Sequence, residues 1–146
     1  QLLNKNEGRD KVTKTDIEFS SAVFKSFLKI RSNSRLFRLT SAQEIIDKIT
    51  FLNTGKTQEQ GLIVMLIDND KGSPITTKFQ KVIVVFNNNP APKTFSDNNF
   101  EGLVLHPVLK NGIDTTTASS QISSKNGQWQ ATVPGFTTAV FVTADH

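Results

Sequence analysis

The sequence has no cysteine, no tyrosine and a single tryptophan, Trp129. The absence of cysteine excludes disulfides, thiolate nucleophiles and cysteine-built zinc sites. No apolar run approaches the roughly 20 residues that a membrane-spanning helix needs, so we expect no membrane partner. Hydrophobic residues make up only 36% of the chain, which favours either a thin two-layer core or a core that is shared with a neighbouring body.

Positive charge is concentrated near the front of the chain, whose net charge is +4. Five cations and no acid occur between Lys25 and Arg38. Such a cluster would attract phosphate, but no aromatic or glycine pattern of a nucleic-acid-binding module accompanies it, so we expect no nucleic-acid partner. The cations belong either to a solvated helix face or to a surface that meets acids on a neighbour.

The first segment with a helical pattern follows a polar stretch, Gln1 to Lys14, that is typical of a loop. Thr15 and Glu18 have the spacing of a capping box, which predicts a helix from Asp16 to Arg31. Its apolar residues are Ile17, Phe19, Val23, Phe24, Phe27, Leu28 and Ile30. So broad an apolar face either packs on the domain that follows or was built for a body outside this chain.

After residue 39 the spacing of the apolar residues changes from a helical one to one typical of strands. Ser41 and Glu44 form a second capping box and predict a short helix over residues 42–47. Apolar or alternating runs then predict strands over residues 49–52, 62–67, 81–86, 103–106, 119–123, 128–133 and 138–143, and the pair Asn126-Gly127 predicts a hairpin turn. No helical stripe separates these strands. The pattern therefore predicts an antiparallel β-sandwich of seven or eight strands, Greek-key in type, over residues 39–146.

A series of short segments, taken in order, resembles the C-terminal region of pullulanase-type enzymes, a group of α-1,6-glucosidases in the α-amylase superfamily. The segments are 27–31, 36–39, 41–44, 51–55, 61–65, 82–87, 105–108, 133–134 and 137–142. The chain departs from the family pattern at Arg35, where the family often has proline, and at Gly135-Phe136, where it often has alanine and arginine.

The resemblance implies that the parent enzyme hydrolyses α-1,6-glucosidic bonds in pullulan and branched glucans, and that its catalytic acids lie upstream of residue 1. It also implies that residues 1–38 hold a loop, the last helix of a (β/α)8 barrel and a connector. The expected partner is then the upstream catalytic barrel of the same parent chain. Without that barrel, we expect the helix over residues 16–31 to mediate self-association, by dimerisation or exchange between copies, or to be mobile. Gln1 is not a start methionine, so we expect the chain to begin inside something longer or after processing. The compartment stays open, with a secreted or cell-surface bacterial enzyme favoured over a plastid one.

No residue is expected to carry catalysis, a cofactor or a metal. The carboxylates fall mainly at predicted caps and turns, where they do structural work. His106 ends a strand without a partner nucleophile and is expected to be a satisfied structural residue. The segment Asp68–Gly72 has glycine fifth, whereas an EF-hand loop has it sixth, which favours a turn over a calcium site.

Trp129 is the candidate sugar contact. It falls on the inward face of its predicted strand with Ala131 and Val133, which favours a core position over a stacking platform. The alternative to a structural domain is an α-glucan-binding or protein-interaction module.

Overall fold

The first helix of the chain begins earlier than the sequence predicted. The computed structural model describes residues 13–144, so most of the predicted N-terminal loop lies outside the described residues. Helix α1 spans Lys14–Asn33. Its capping box is formed by Thr13 and Asp16, which exchange hydrogen bonds of 3.2 and 2.8 Å. The predicted box at Thr15 and Glu18 is therefore wrong by two residues, because the same hydroxyl-to-acid spacing occurs twice in this stretch.

Three shorter helices follow. Helix α2 spans Ala42–Lys48, with Ser41 as its N-cap as predicted. Helices α3, Pro107–Lys110, and α4, Thr115–Ala118, interrupt the strands. The expectation that no helix separates the later strands is therefore wrong, because a single turn is too short to produce a helical stripe in the sequence.

Within residues 13–144, eight antiparallel strands form two sheets, which confirms the predicted sandwich behind an N-terminal helix. The larger sheet has the order β1-β2-β3-β8-β5 and the smaller one β4-β7-β6. The strands are β1, Ile49–Phe51; β2, Leu62–Asp68; β3, Lys81–Asn87; β4, Lys93–Ser96; β5, Leu103–Leu105; β6, Gln121–Lys125; β7, Gln128–Val133; and β8, Thr137–Thr143. Strand β4 was not predicted, and β6 begins two residues later than predicted.

The hydrophobic core lies between the two sheets. A chain of edge-to-face rings crosses it from Phe95 on β4 through Phe100 to Phe141 on β8, with centroids 6.4 and 6.1 Å apart. Phe141 therefore marks the inner face of the larger sheet. Phe100 and Phe141 are fully buried.

The outer face of the larger sheet is also apolar, and the second half of α1 covers part of it. Phe27 and Ile30 of the helix line one hollow together with Val84 and Val140 of the sheet. Strand β3 is consequently buried on both faces from Val82 to Val85, as predicted, whereas Phe86 is 38% exposed. The same expectation for β2 is wrong at Ile63, which is 52% exposed.

The predicted hairpin between β6 and β7 is confirmed. Asn126 and Gly127 have φ values of +52° and +75°. Positive φ at both central residues is the geometry of a type I′ turn, whose twist matches that of paired strands. This turn fixes the register that pairs Trp129 with Ser124.

Candidate functional site

Helix α1 has two apolar sides. On one side Ile30 is 2% exposed, and Val23 and Phe27 line a small hollow with Leu109 of α3. The other side carries three apolar residues that remain exposed, Ile17, Phe24 and Leu28, at 62%, 64% and 48%. These three, called the exposed stripe here, are separated by seven and four residues and so follow one line along the helix. A helix in contact with a single body needs only one apolar face.

Cations flank the exposed stripe. Lys25, Lys29 and Arg31 are exposed and make no ion pair within residues 13–144. The ion pair on this helix joins Lys14 to Glu18 at 3.8 Å, between two exposed side chains. The side of α1 that faces away from the sandwich thus combines an apolar line with positive charge.

The connector after α1 is held firmly against the sandwich. Leu36 is 1% exposed. The hydroxyl of Ser34 accepts a hydrogen bond from the Leu36 amide. The Arg35 guanidinium pairs with the Glu44 carboxylate at 2.9 Å. The Thr40 amide also donates to Glu44, at 2.9 Å. Hydrogen bonding from the Thr40 amide, assisted by Arg35, lowers the pKa of Glu44.

Most of the described carboxylates are engaged in structural contacts. Asp16, Asp97 and Asp114 cap helical turns. Asp68 accepts from the amide of Asp70 in the turn after β2, as expected of a turn. The amide and hydroxyl of Thr13 lower the pKa of Asp16. Within residues 13–144, no group of three potential metal ligands comes together. Glu7, Asp10 and Asp145 lie outside the described residues.

Lys48 is an unexpected element of the turn after β2. Its side chain is 1% exposed, and its ammonium donates to the carbonyl oxygens of Asn69 and Lys71 at 3.0 and 2.7 Å. A buried cation on two carbonyls fixes the start of β1 to this turn. The sequence offered no signal for it, because a lysine at the end of an exposed helix is ordinarily solvated.

His106 is fully buried between the sheets and the short helices. Its Nδ1 accepts a hydrogen bond from the Val108 amide at 3.1 Å and so caps α3. The ring meets Phe79 edge to face, with centroids 5.4 Å apart. Burial, with a smaller contribution from the charge of Lys78, lowers the pKa of His106 from 6.5 to about 4. The imidazole is therefore neutral near pH 7.

The expectation that His106 is fully satisfied is only half right. Its Nε2 has no hydrogen-bond partner within the described residues. Because Nδ1 accepts from an amide, the proton must reside on Nε2. Through Nδ1 the ring serves as the cap of α3.

Trp129 lies in the middle of β7. Its ring is half-buried and packs against the core, while Ala131 and Val133 further along the strand are fully buried. Its carbonyl accepts from the Asp97 amide at 3.0 Å. A sugar contact at Trp129 stays a prediction.

Within residues 13–144, no helix is both long enough and apolar enough to cross a bilayer.

Known proteins match this chain along nearly its whole length. A family model described as the C-terminal region of pullulanase-type alpha-1,6-glucosidases matches residues 1–144. The chloroplastic pullulanase 1 of Arabidopsis thaliana is 35% identical over 126 residues, which are 82% of this chain and 13% of that protein. The pullulanase of Klebsiella pneumoniae is 24% identical over 127 residues, 86% of this chain and 12% of that protein.

The same fold occurs in a solved structure. The crystal structure of apo pullulanase from Klebsiella pneumoniae superposes with a TM-score of 0.78 at 22% identity, covering 91% of this chain and 14% of that one. The chain thus spans about an eighth of the length of the relatives it matches. On the match over residues 1–144, the chain belongs to the family of C-terminal regions of pullulanase-type α-1,6-glucosidases.

Proposed function

We propose that this chain is the non-catalytic C-terminal part of a starch-debranching enzyme, and that it stabilises the catalytic barrel of the same parent protein. The parent would hydrolyse α-1,6-glucosidic bonds in pullulan or branched glucans. In this proposal residues 1–38 belong to the edge of the barrel and its connector, and residues 39–146 form the supporting sandwich. Family membership and the small share of the relatives that the chain covers support it.

The observation that carries the proposal is the two-sided helix. One side of α1 packs on the sandwich, while Phe24 and Leu28 on the other side are 64% and 48% exposed. Burying a fully exposed side chain of this kind contributes roughly 1.5–3 kcal/mol, so completing the burial of these two partly exposed ones contributes about 2–3 kcal/mol together. A catalytic part that covers the exposed stripe would therefore be stabilised by a few kcal/mol through α1 alone.

The absence of a catalytic role is supported by the use of the described acids. Glycoside hydrolysis needs two carboxyls held across a sugar in a pocket. Asp16, Glu44 and Asp114 instead accept hydrogen bonds from amides at helix starts. We expect the purified chain to release no reducing sugar from pullulan, and release at a rate that follows protein concentration would contradict the proposal.

The stabilising role is tested in the parent enzyme with the double variant Phe24→Asp and Leu28→Asp. We expect the temperature of half-inactivation to fall while kcat on pullulan near 25 °C stays within about twofold, because the substitutions lie away from the reacting bond. Ile46→Asp is the matched control, since Ile46 on α2 is 71% exposed and outside the exposed stripe. Equal inactivation of wild type and the double variant would contradict the role proposed for α1.

Trp129 separates this proposal from a glucan-binding role of the same sheet. If the ring is a core residue, Trp129→Ala lowers the melting temperature and leaves retardation on a pullulan affinity gel unchanged. Unchanged stability with lost retardation would instead identify Trp129 as a sugar contact.

A further inference from the structure

Phe136 has an unusual conformation and an unusual exposure. It stands in the turn between β7 and β8 with a φ of +48°, and its side chain is 70% exposed. Positive φ is disfavoured for any residue with a Cβ and is rare for a bulky one. An exposed phenyl ring contributes little to a core, so folding alone gives no reason to keep phenylalanine where glycine would fit.

The surrounding loops hold Phe136 in this conformation. Its amide donates to the carbonyl of Asn89 at 2.9 Å. The buried Asn87 side chain donates to the carbonyls of both residues that precede Gly135, each at 3.0 Å. Gly135 packs so closely that an added Cβ would lie 2.2 Å from the carbonyl oxygen of Pro90. Strained residues persist where such contacts over-determine them, and they concentrate at functional sites.

Phe136 shares a surface hollow of about 310 Å³ with a second exposed ring, Phe86, which is 38% exposed. Asn88 and Thr138 also line this hollow. Their side chains make no hydrogen bond within residues 13–144. We call these four residues the phenylalanine hollow.

The phenylalanine hollow combines two apolar rings with two polar side chains and carries no charge. None of its lining residues is ionisable. An anion would find no cation among these lining residues, and Arg31 lines the adjoining hollow that shares Phe86 and Thr138. A purely apolar partner would leave the Asn88 amide without a hydrogen bond. A pyranose ring fits both requirements, because it presents a C–H face to an aromatic ring and hydroxyls to neighbouring donors and acceptors.

We propose that the phenylalanine hollow binds a neutral glucan of α-linked glucose units, with the Phe86 and Phe136 rings against sugar faces and Asn88 and Thr138 on the hydroxyls. The choice of α-linked glucose rests on the proposed function, whereas the choice of a neutral sugar rests on the hollow itself. The site is independent of the exposed stripe and of Trp129.

The test titrates the ¹⁵N-labelled 146-residue chain with maltoheptaose and follows its amide resonances. Shifts are expected at Asn88 and over residues 136–138. Phe136→Gly is the decisive variant, because glycine adopts positive φ without strain, so the melting temperature should not fall while affinity falls at least tenfold. Asn88→Ala should weaken binding severalfold. Phe24→Ala is the matched control, since it removes an exposed ring elsewhere and should leave affinity unchanged.

Several outcomes would overturn the proposal. Equal binding of maltoheptaose by wild type and Phe136→Gly would overturn it. So would the absence of binding at about 10 mM, a concentration that reveals even millimolar affinity. Binding of cellohexaose alone would refute α-linked glucose. If Phe136→Gly instead lowers the thermal stability of the parent enzyme without any sugar binding by the chain, the hollow is a contact with the catalytic part. None of these results depends on the Phe24 and Leu28 experiment, so the two proposals fail separately.

Discussion

Acidification should destabilise this domain through His106. The folded protein holds the imidazole neutral, because burial lowers its pKa from 6.5 to about 4. Below pH 6.5 the unfolded chain binds a proton that the folded chain does not bind until about pH 4. The unfolded state is therefore favoured as the pH falls. The contribution of His106 to the free energy of unfolding is complete above pH 6.5 and is lost progressively down to about pH 4.

The magnitude follows from the two pKa values. One pKa unit corresponds to about 1.4 kcal/mol, so the loss at pH 4.5 relative to pH 7.5 is about 2–3 kcal/mol. The contacts explain the direction. Protonation of Nδ1 would replace the acceptor for the Val108 amide with a second donor, and would place a charge in a fully buried position.

Urea unfolding followed by Trp129 fluorescence measures this effect between pH 4.5 and 7.5. The matched variant is His106→Asn, whose amide oxygen can accept from the Val108 amide but does not titrate. Asp16 and Glu44 have lowered pKa values in both proteins, so their contribution cancels in the difference between the two profiles. We expect the wild type to lose about 2–3 kcal/mol more than the variant at pH 4.5. Parallel profiles would refute the assignment of a neutral, buried His106.

Three further changes test the packing. Lys48→Met should lower the free energy of unfolding in urea by about 1–3 kcal/mol, because it leaves the carbonyls of Asn69 and Lys71 without this donor. An unchanged unfolding midpoint would show that these hydrogen bonds make no net contribution to stability. Gly135→Ala should lower the free energy of unfolding by about 3 kcal/mol or more through overpacking. Gly127→Ala should lower it only by the strain of positive φ, because no atom lies within 4 Å of the added carbon. Equal losses of stability would contradict the close approach at Gly135. Light scattering should find a concentration-dependent dimer of the isolated chain that Phe24→Asp with Leu28→Asp abolishes, and a wild-type monomer at about 0.1 mM would refute self-association through α1.

The sandwich was predictable because its strongest signals are local. The apolar runs of β2 and β3, the alternation in β7 and the Asn126-Gly127 pair each specify a strand or a turn without reference to the rest of the chain. Strand β4 escaped detection because its only apolar residue is Phe95. Pattern alone could not reveal α3 and α4, which contain too few residues to show a period.

The sites were less predictable than the fold, because they depend on contacts between distant segments. Lys48 meets carbonyls 21 and 23 residues away. Phe86 and Phe136 are 50 positions apart in the sequence, and only the pairing of β3 with β8 brings them to one hollow. The departure at Gly135-Phe136 was visible in the sequence, but its backbone strain was not.

The apolar excess of α1 was visible from the start, yet the sequence left two explanations open. The first holds for Phe27 and Ile30, which pack on the sandwich, whereas Ile17, Phe24 and Leu28 remain exposed and the second stays a proposal. Periodicity could not separate the two sides, because the apolar residues extend around most of the helix.

Hydrogen exchange of the amides in residues 17–28 tests the central claim most directly, compared between the isolated chain and the parent enzyme. If the catalytic part covers the exposed stripe, these amides should exchange at least tenfold more slowly in the parent, while those of β3 change little. Equal exchange of α1 in the two proteins would contradict a supporting role for this helix.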